Sequence, residues 1–178
     1  MKLLNNRKSP CIVLLFIFSI AAIMIVGIFI VKFTGEPKVS AVVTLSNITE
    51  DEFYGLDNHQ NYDYNDIKKL AVRVEINNSL FCKSREIKVP NLMKIDQLDE
   101  GRSFRADQGF DNVKGDDHAG AYQSVVFNSS GLTVDDLKRL YRNETIKVEI
   151  ITYSGVRIVT EYPFGDLIQE KTVDETKE

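Results

Sequence analysis

The chain has 178 residues, a formal net charge of −4, two cysteines, two histidines and no tryptophan. This balance excludes an electrostatic nucleic-acid binder, because no cluster of Lys and Arg interleaved with aromatics occurs in it. It also leaves too few Cys and His for a disulfide framework or an ordinary zinc site.

Residues 11–31 read CIVLLFIFSIAAIMIVGIFIV, with no charge and one hydroxyl, Ser19. As a helix this run reaches about 30 Å, the thickness of a bilayer's hydrocarbon core. Lys2, Arg7 and Lys8 precede it, which predicts a cytoplasmic N-terminus over 1–10. The expectation is an uncleaved single-pass signal anchor at 11–31, with the lipid bilayer as its partner. A linker follows at 32–38, holding Gly35 and Pro37, and the bulk of the chain lies extracytoplasmic at the cell membrane. The rival is a cleaved signal peptide. The run is longer than a signal's apolar region, and the weak site Val39-Ser40-Ala41 falls inside a strand-like pattern. Cys11 reads as an anchor residue, with S-acylation as the sharper alternative.

From Val39 the period becomes two. Val39, Ala41, Val43 and Leu45 alternate with polar residues, and Leu70, Val72, Val74 and Ile76 make the clearest strand. Ile87 and Val89 mark a strand that Pro90 ends, and 122–127 reads as another. Ile146, Val148 and Ile150 alternate up to Tyr153. Gly155 then turns the chain, and Val156, Ile158 and Thr160 return as a hairpin. One short helix follows Thr133, which caps it with Asp135 and Asp136 in the first turn. Val134, Leu137, Leu140 and Tyr141 share its buried face.

This pattern predicts a mainly β domain over 39–166: an antiparallel β-sandwich resembling immunoglobulin or fibronectin-III domains, with one short helix. The immunoglobulin disulfide and core tryptophan are missing, so the resemblance is architectural. A small open barrel is the alternative. The charged tail, 167–178, is expected to be disordered.

Two polar stretches stand out. Residues 49–66, TEDEFYGLDNHQNYDYND, carry Phe53, Tyr54, Tyr62 and Tyr64 among acids and amides, a composition suited to contact with a protein or sugar. The competing reading folds those rings back onto the sandwich. Asn61, Asp63, Asn65 and Asp66 fail the EF-hand pattern, leaving only an irregular oxygen-ligated calcium site. Residues 96–120 read as a mobile acidic loop, with Asp111, Asp116 and Asp117 as a minority calcium reading. Asn47, Asn77, Asn128 and Asn143 are N-x-[ST] sequons.

No catalytic constellation converges. His59 and His118 lie in separate polar stretches, no G-x-S-x-G occurs, and no cofactor motif is present. A thiol enzyme would use Cys82. Its layout resembles the sortases, but those carry T-L-x-T-C late in the chain, whereas Cys82 lies early, in Ser79-Leu80-Phe81-Cys82. The expected function is therefore a membrane-anchored, non-catalytic binding or assembly module of the cell envelope, without cofactor or metal, contacting an envelope protein or surface glycan. The alternatives are an envelope thiol enzyme using Cys82 and the ectodomain of a sensory membrane complex.

Overall fold

The computed structural model describes residues 10–34, 36–57, 59–79, 82–113 and 116–171. The chain divides into two units, Met1–Glu36 and Pro37–Glu178. The first holds one helix, α1 (Pro10–Thr34), whose side chains are described over 14–27. These are apolar on every side rather than along one stripe. Ser19 Oγ donates back to Leu15 O at 2.8 Å, so its hydroxyl stays satisfied within the helix.

Among the described residues no helix is long and apolar enough to cross a membrane. This corrects the expected single-pass anchor at 11–31. The signal-anchor assignment and the membrane localisation with an extracytoplasmic domain rested on that span and fall with it. The side chain of Cys11 and the segment 1–9 lie outside the described residues.

The second unit is mainly β. Its strands are β1 (Lys38–Asn47), β2 (Ile67–Asn77), β3 (Cys82–Lys88), β4 (Ser103–Asp111), β5 (Ala119–Asn128), β6 (Thr145–Thr152), β7 (Arg157–Pro163) and β8 (Ile168–Lys171). Three short helices, α2 (Glu50–Tyr54), α3 (Val134–Leu140) and α4 (Phe164–Leu167), join them. One sheet has the order β4-β5-β2-β1-β8 and the other β3-β6-β7. Lettering β1 to β7 as A to G gives D-E-B-A opposite C-F-G, the strand order of an immunoglobulin constant domain. β8 is an addition, parallel to β1 over Val43–Ser46.

Period-two alternation explains the two layers. Leu70, Val72, Val74 and Ile76 turn inward from β2, and Ile146, Val148 and Ile150 turn inward from β6. All seven are buried in one core with Val43, Leu45, Val125 and Phe127. Cys82 belongs to the same core, and no disulfide occurs among the described residues. Gly155, at φ +85°, makes the β6–β7 turn in a conformation that a side chain would strain.

α3 starts as its sequence dictates. Thr133 Oγ1 accepts from Asp136 N, and the Asp136 carboxylate accepts from Thr133 N, a reciprocal cap. On this helix Arg139 pairs with Asp136 at 2.8 Å, three residues apart. Tyr141 ends the helix fully buried, and its hydroxyl donates to Leu92 O at 2.6 Å. Burial pushes the Tyr141 phenol far above its usual range, so it remains a donor at every accessible pH. α4 approaches α3 so closely that a Cβ on Gly165 would sit 2.7 Å from Lys138 O.

Two further expectations change. The described part of 96–120 is not all loop. It contains the end of the 3₁₀ turn Leu92–Gln97, whose Asp96 carboxylate accepts from Ser103 N at 2.8 Å, and then β4. The fold also continues past residue 166. Ile168 is buried against β1, and Lys68 pairs with Glu170 across it. Residues 172–178 lie outside the described set.

Tyr141→Phe keeps the ring but removes the hydroxyl's bond to Leu92 O. It is expected to lower unfolding stability by about 0.5–1.5 kcal/mol in a urea titration without changing the slope. An unchanged midpoint would show that this bond does not hold the α3 corner.

Candidate functional site

The described residues of 49–66 form a cap over one end of the five-stranded sheet's outer face. Thr49 and Glu52 make a capping box that starts α2, and Lys69 of β2 holds Glu52 at 2.7 Å. Phe53 is buried beside Ile48, Ile67 and Val126, in a small core separate from the main one. Its ring meets Tyr64 edge-on at 5.4 Å and His59 at 5.7 Å. The Tyr64 hydroxyl donates to Ile48 O at 2.6 Å, and Ser129 ties the end of the cap to β5 through Asp66 O.

The four expected contact residues thus divide into two pairs. Phe53 and Tyr64 are structural and face the small core. Tyr54 and Tyr62 are outward, exposed by 66% and 37%. Tyr54 rests against His59, and Tyr62 packs edge-on against Phe104 of β4 at 4.8 Å. The sequence allows either contact or folding back. Each reading describes half of the rings, because the alternation that separates the two sides of a strand does not operate in a loop. Phe104 carries no signal of its role in the sequence, since its partner ring lies far earlier in the chain.

The remaining groups do not assemble into chemistry. Asp63 spends its carboxylate on Asn65 N and Nδ2, as the cap of a 3₁₀ turn. Among the described residues no group of three His, Cys, Asp or Glu side chains is placed to hold a metal. Asp111 sits at the end of β4, whereas Asp116 and Asp117 follow in the loop, where their carbonyls accept from Arg85 and Ser79. His59 Nδ1 pairs with Leu56 O, and His118 Nδ1 with Asn77 Oδ1. Neither hydrogen-bonds Cys82 among the described residues. Cys82 is 8% exposed, and burial pushes its thiol up while the nearby Arg85 charge opposes that only in part. Asn47, Asn77 and Asn143 are exposed, whereas Asn128 is half-buried and binds Ser130 N.

The outer face of the three-stranded sheet is a self-paired charge lattice. Arg157 grips Glu149 through two bonds of 2.8 and 2.7 Å, Lys147 meets Glu161, and Lys88 meets Glu86. The Arg157 guanidinium holds Glu149 below its usual range. Charges neutralised within one face leave little to steer a charged partner there.

No family model, curated protein or solved structure matches the chain.

The cap's ion pair makes its closure depend on pH. Burial alone would push the Glu52 carboxyl up, but Lys69 and the Thr49 backbone outweigh it and hold it below the ordinary value. Burial would likewise lower Lys69, and Glu52 outweighs that and raises it. Glu52 therefore contributes above the free carboxyl range, about pH 4.3, and its contribution is lost as pH falls through the lower folded value. Lys69 contributes below about pH 10.4, and its contribution is lost as pH rises through the higher folded value. The Phe53 and Tyr64 ring resonances should hold steady from about pH 5 to pH 10 and move below about pH 4. In Glu52→Gln that acid shift should vanish. An identical acid shift in Glu52→Gln would assign it to another group.

Proposed function

We propose that the domain is a non-catalytic binding or assembly module that contacts a partner protein or a glycan through the outer side of the 49–66 cap. One observation carries this reading. Phe53 and Tyr64 immobilise the segment from beneath, which leaves Tyr54 and Tyr62 presented on an already ordered support. Rings held in place before contact lose little conformational entropy on binding, and each offers an apolar face with a hydroxyl at its edge.

The charge around them indicates the kind of partner. Glu50, Asp51, Asp57, Asp63 and Asp66 share the segment with the rings, and the segment contains no Lys or Arg. A protein with a basic rim, or a sugar that stacks on the rings and bonds to the acids, complements this surface. The thiol-enzyme alternative has less support. The Cys82 side chain packs into the core, and burial favours the protonated thiol over the reactive thiolate.

A photo-crosslinking residue at the exposed position Gln60 tests the reading in cells. The expected result is a discrete crosslinked species that weakens with added salt and disappears in the double variant Tyr54→Ala, Tyr62→Ala, whose melting temperature matches wild type. An unchanged crosslinking pattern in that variant would remove the two rings from the function.

A further inference from the structure

β7 ends the three-stranded sheet, with β6 on one side and no strand on the other. Two main-chain bonds fix which of its groups are used. Thr152 N donates to Val156 O and Phe164 N donates to Glu144 O, at the two ends of the β6–β7 ladder. The register runs unbroken between them, with Ile158 opposite Ile150 and Tyr162 opposite Ile146. Alternation therefore turns the main-chain groups of Ile158, Thr160 and Tyr162 toward β6, and those of Arg157, Val159 and Glu161 outward. No main-chain bond from another element takes up these outward groups among the described residues. The edge has no bulge to twist it away. Two of its side chains, Val159 and the preceding Val156, are apolar yet exposed by 44% and 56%.

This edge is complementary to itself. When two copies of β7 meet antiparallel, outward groups must face outward groups, which leaves few registers. One sets Arg157 against Arg157 of the other copy, and another sets Glu161 against Glu161, so both oppose like charges. Two more set Val159 against a charged side chain. Centring the pair on Val159 sets Arg157 opposite Glu161 of the second copy at both ends, Val159 against Val159, and Val156 against Tyr162. Every outward N–H of Arg157, Val159 and Glu161 then meets an outward carbonyl. The side-chain charges fit the same register without giving up the pairs they already make. Arg157 spends Nε and Nη2 on Glu149, and Glu161 receives Lys147 on Oε1. Arg157 Nη1 and Glu161 Oε2 are unused among the described residues. Across the junction the outer face then runs Lys147, Glu161, Arg157, Glu149, alternating in sign. A face neutral in itself also does not repel its own copy.

We propose that β7 pairs antiparallel with β7 of a second copy, across a two-fold axis at Val159, and so joins the two three-stranded sheets into one. The main-chain ladder supplies the affinity, and the exposed charges select the register. Pro163 has no N–H to donate, so the ladder stops there. The edge shares no residue with the 49–66 cap. Each dimer carries a cap on both protomers, so a partner with repeated sites is held at two points.

Disulfide trapping on the full chain, in a Cys11→Ser background, reads the register directly. Val159→Cys should form a linked dimer on mild oxidation. Arg157→Cys alone and Glu161→Cys alone should not, whereas an equimolar mixture of the two should link at least tenfold more than either. Amide exchange gives the second readout. In dilute protein Arg157, Val159 and Glu161 should exchange fast and Ile158 and Thr160 slowly. On concentration the three fast amides should slow at least tenfold. Val159→Pro removes an N–H that bonds nothing within the chain, and it should abolish the slowing at Arg157 and Glu161. The Tyr54→Ala, Tyr62→Ala chain should pair as wild type, so loss of the cap reading leaves this result intact, and the reverse holds too. The proposal is overturned if Arg157→Cys alone links as well as the mixture. It is overturned equally if the Val159 amide exchanges at the same rate at every concentration, including under conditions where the chain associates through its apolar helix α1.

Discussion

The dry contact between the inner rows of β2 and β6 is the constraint from which the rest of the domain follows. Leu70, Val72, Val74 and Ile76 face Ile146, Val148 and Ile150, and all are buried. At about 1.5–3 kcal/mol per buried aliphatic side chain, seven such residues supply the largest favourable contribution available to a domain of this size. The same rows fix register. A one-residue slip of β2 would turn Ala71, Arg73 and Glu75 into the core, at the cost of burying two charges. With register fixed, the hairpins and the sheet edges take their positions.

Immunoglobulin domains commonly join their two sheets with a disulfide; here tyrosine hydroxyls make long-range bonds, one of which, from Tyr162, crosses between the sheets. Tyr141 reaches from the end of α3 to Leu92 O, Tyr162 from β7 to Val39 O, and Tyr64 from the cap to Ile48 O. Each bond ties a ring to a main-chain carbonyl distant in sequence. Arg85 does comparable work at the opposite end. It donates to Ser79 Oγ and to the carbonyls of Val113, Asp116 and His118, which joins the β2–β3 turn to the β4–β5 loop. Single side chains thus act as posts that hold the described parts of the polar loops.

Legibility in the sequence follows from how completely each element is enclosed. β2, β6 and the β6–β7 hairpin announce themselves, because their inward rows are buried and alternation is enforced. The cap of α3 is readable from Thr133 alone. β4 is not, since its inner side meets solvent and carries Ala106, Gln108 and Phe110 in place of an apolar row. β8 is hidden as well. Only Ile168 of its four residues is buried, and Gln169, Glu170 and Lys171 resemble a solvated tail. The hydrophobic run at 11–31 is the loudest signal in the chain, and its length and composition suggest a span. Among the described residues no helix meets the length and hydropathy that a span requires. The cap's aromatics are evident from composition, but which rings anchor and which face outward depends on Val126 and Phe104, partners that lie far away in sequence.

Native-state amide hydrogen exchange on the full chain tests the shared core most directly. If β2 and β6 are two walls of one dry interior, their amides exchange only through global unfolding and report a single common free energy, while those of β4 exchange faster. Should the β6 amides open by a separate route, with a free energy well below that of β2, the two sheets would not share a core and the domain could not be held together by their contact.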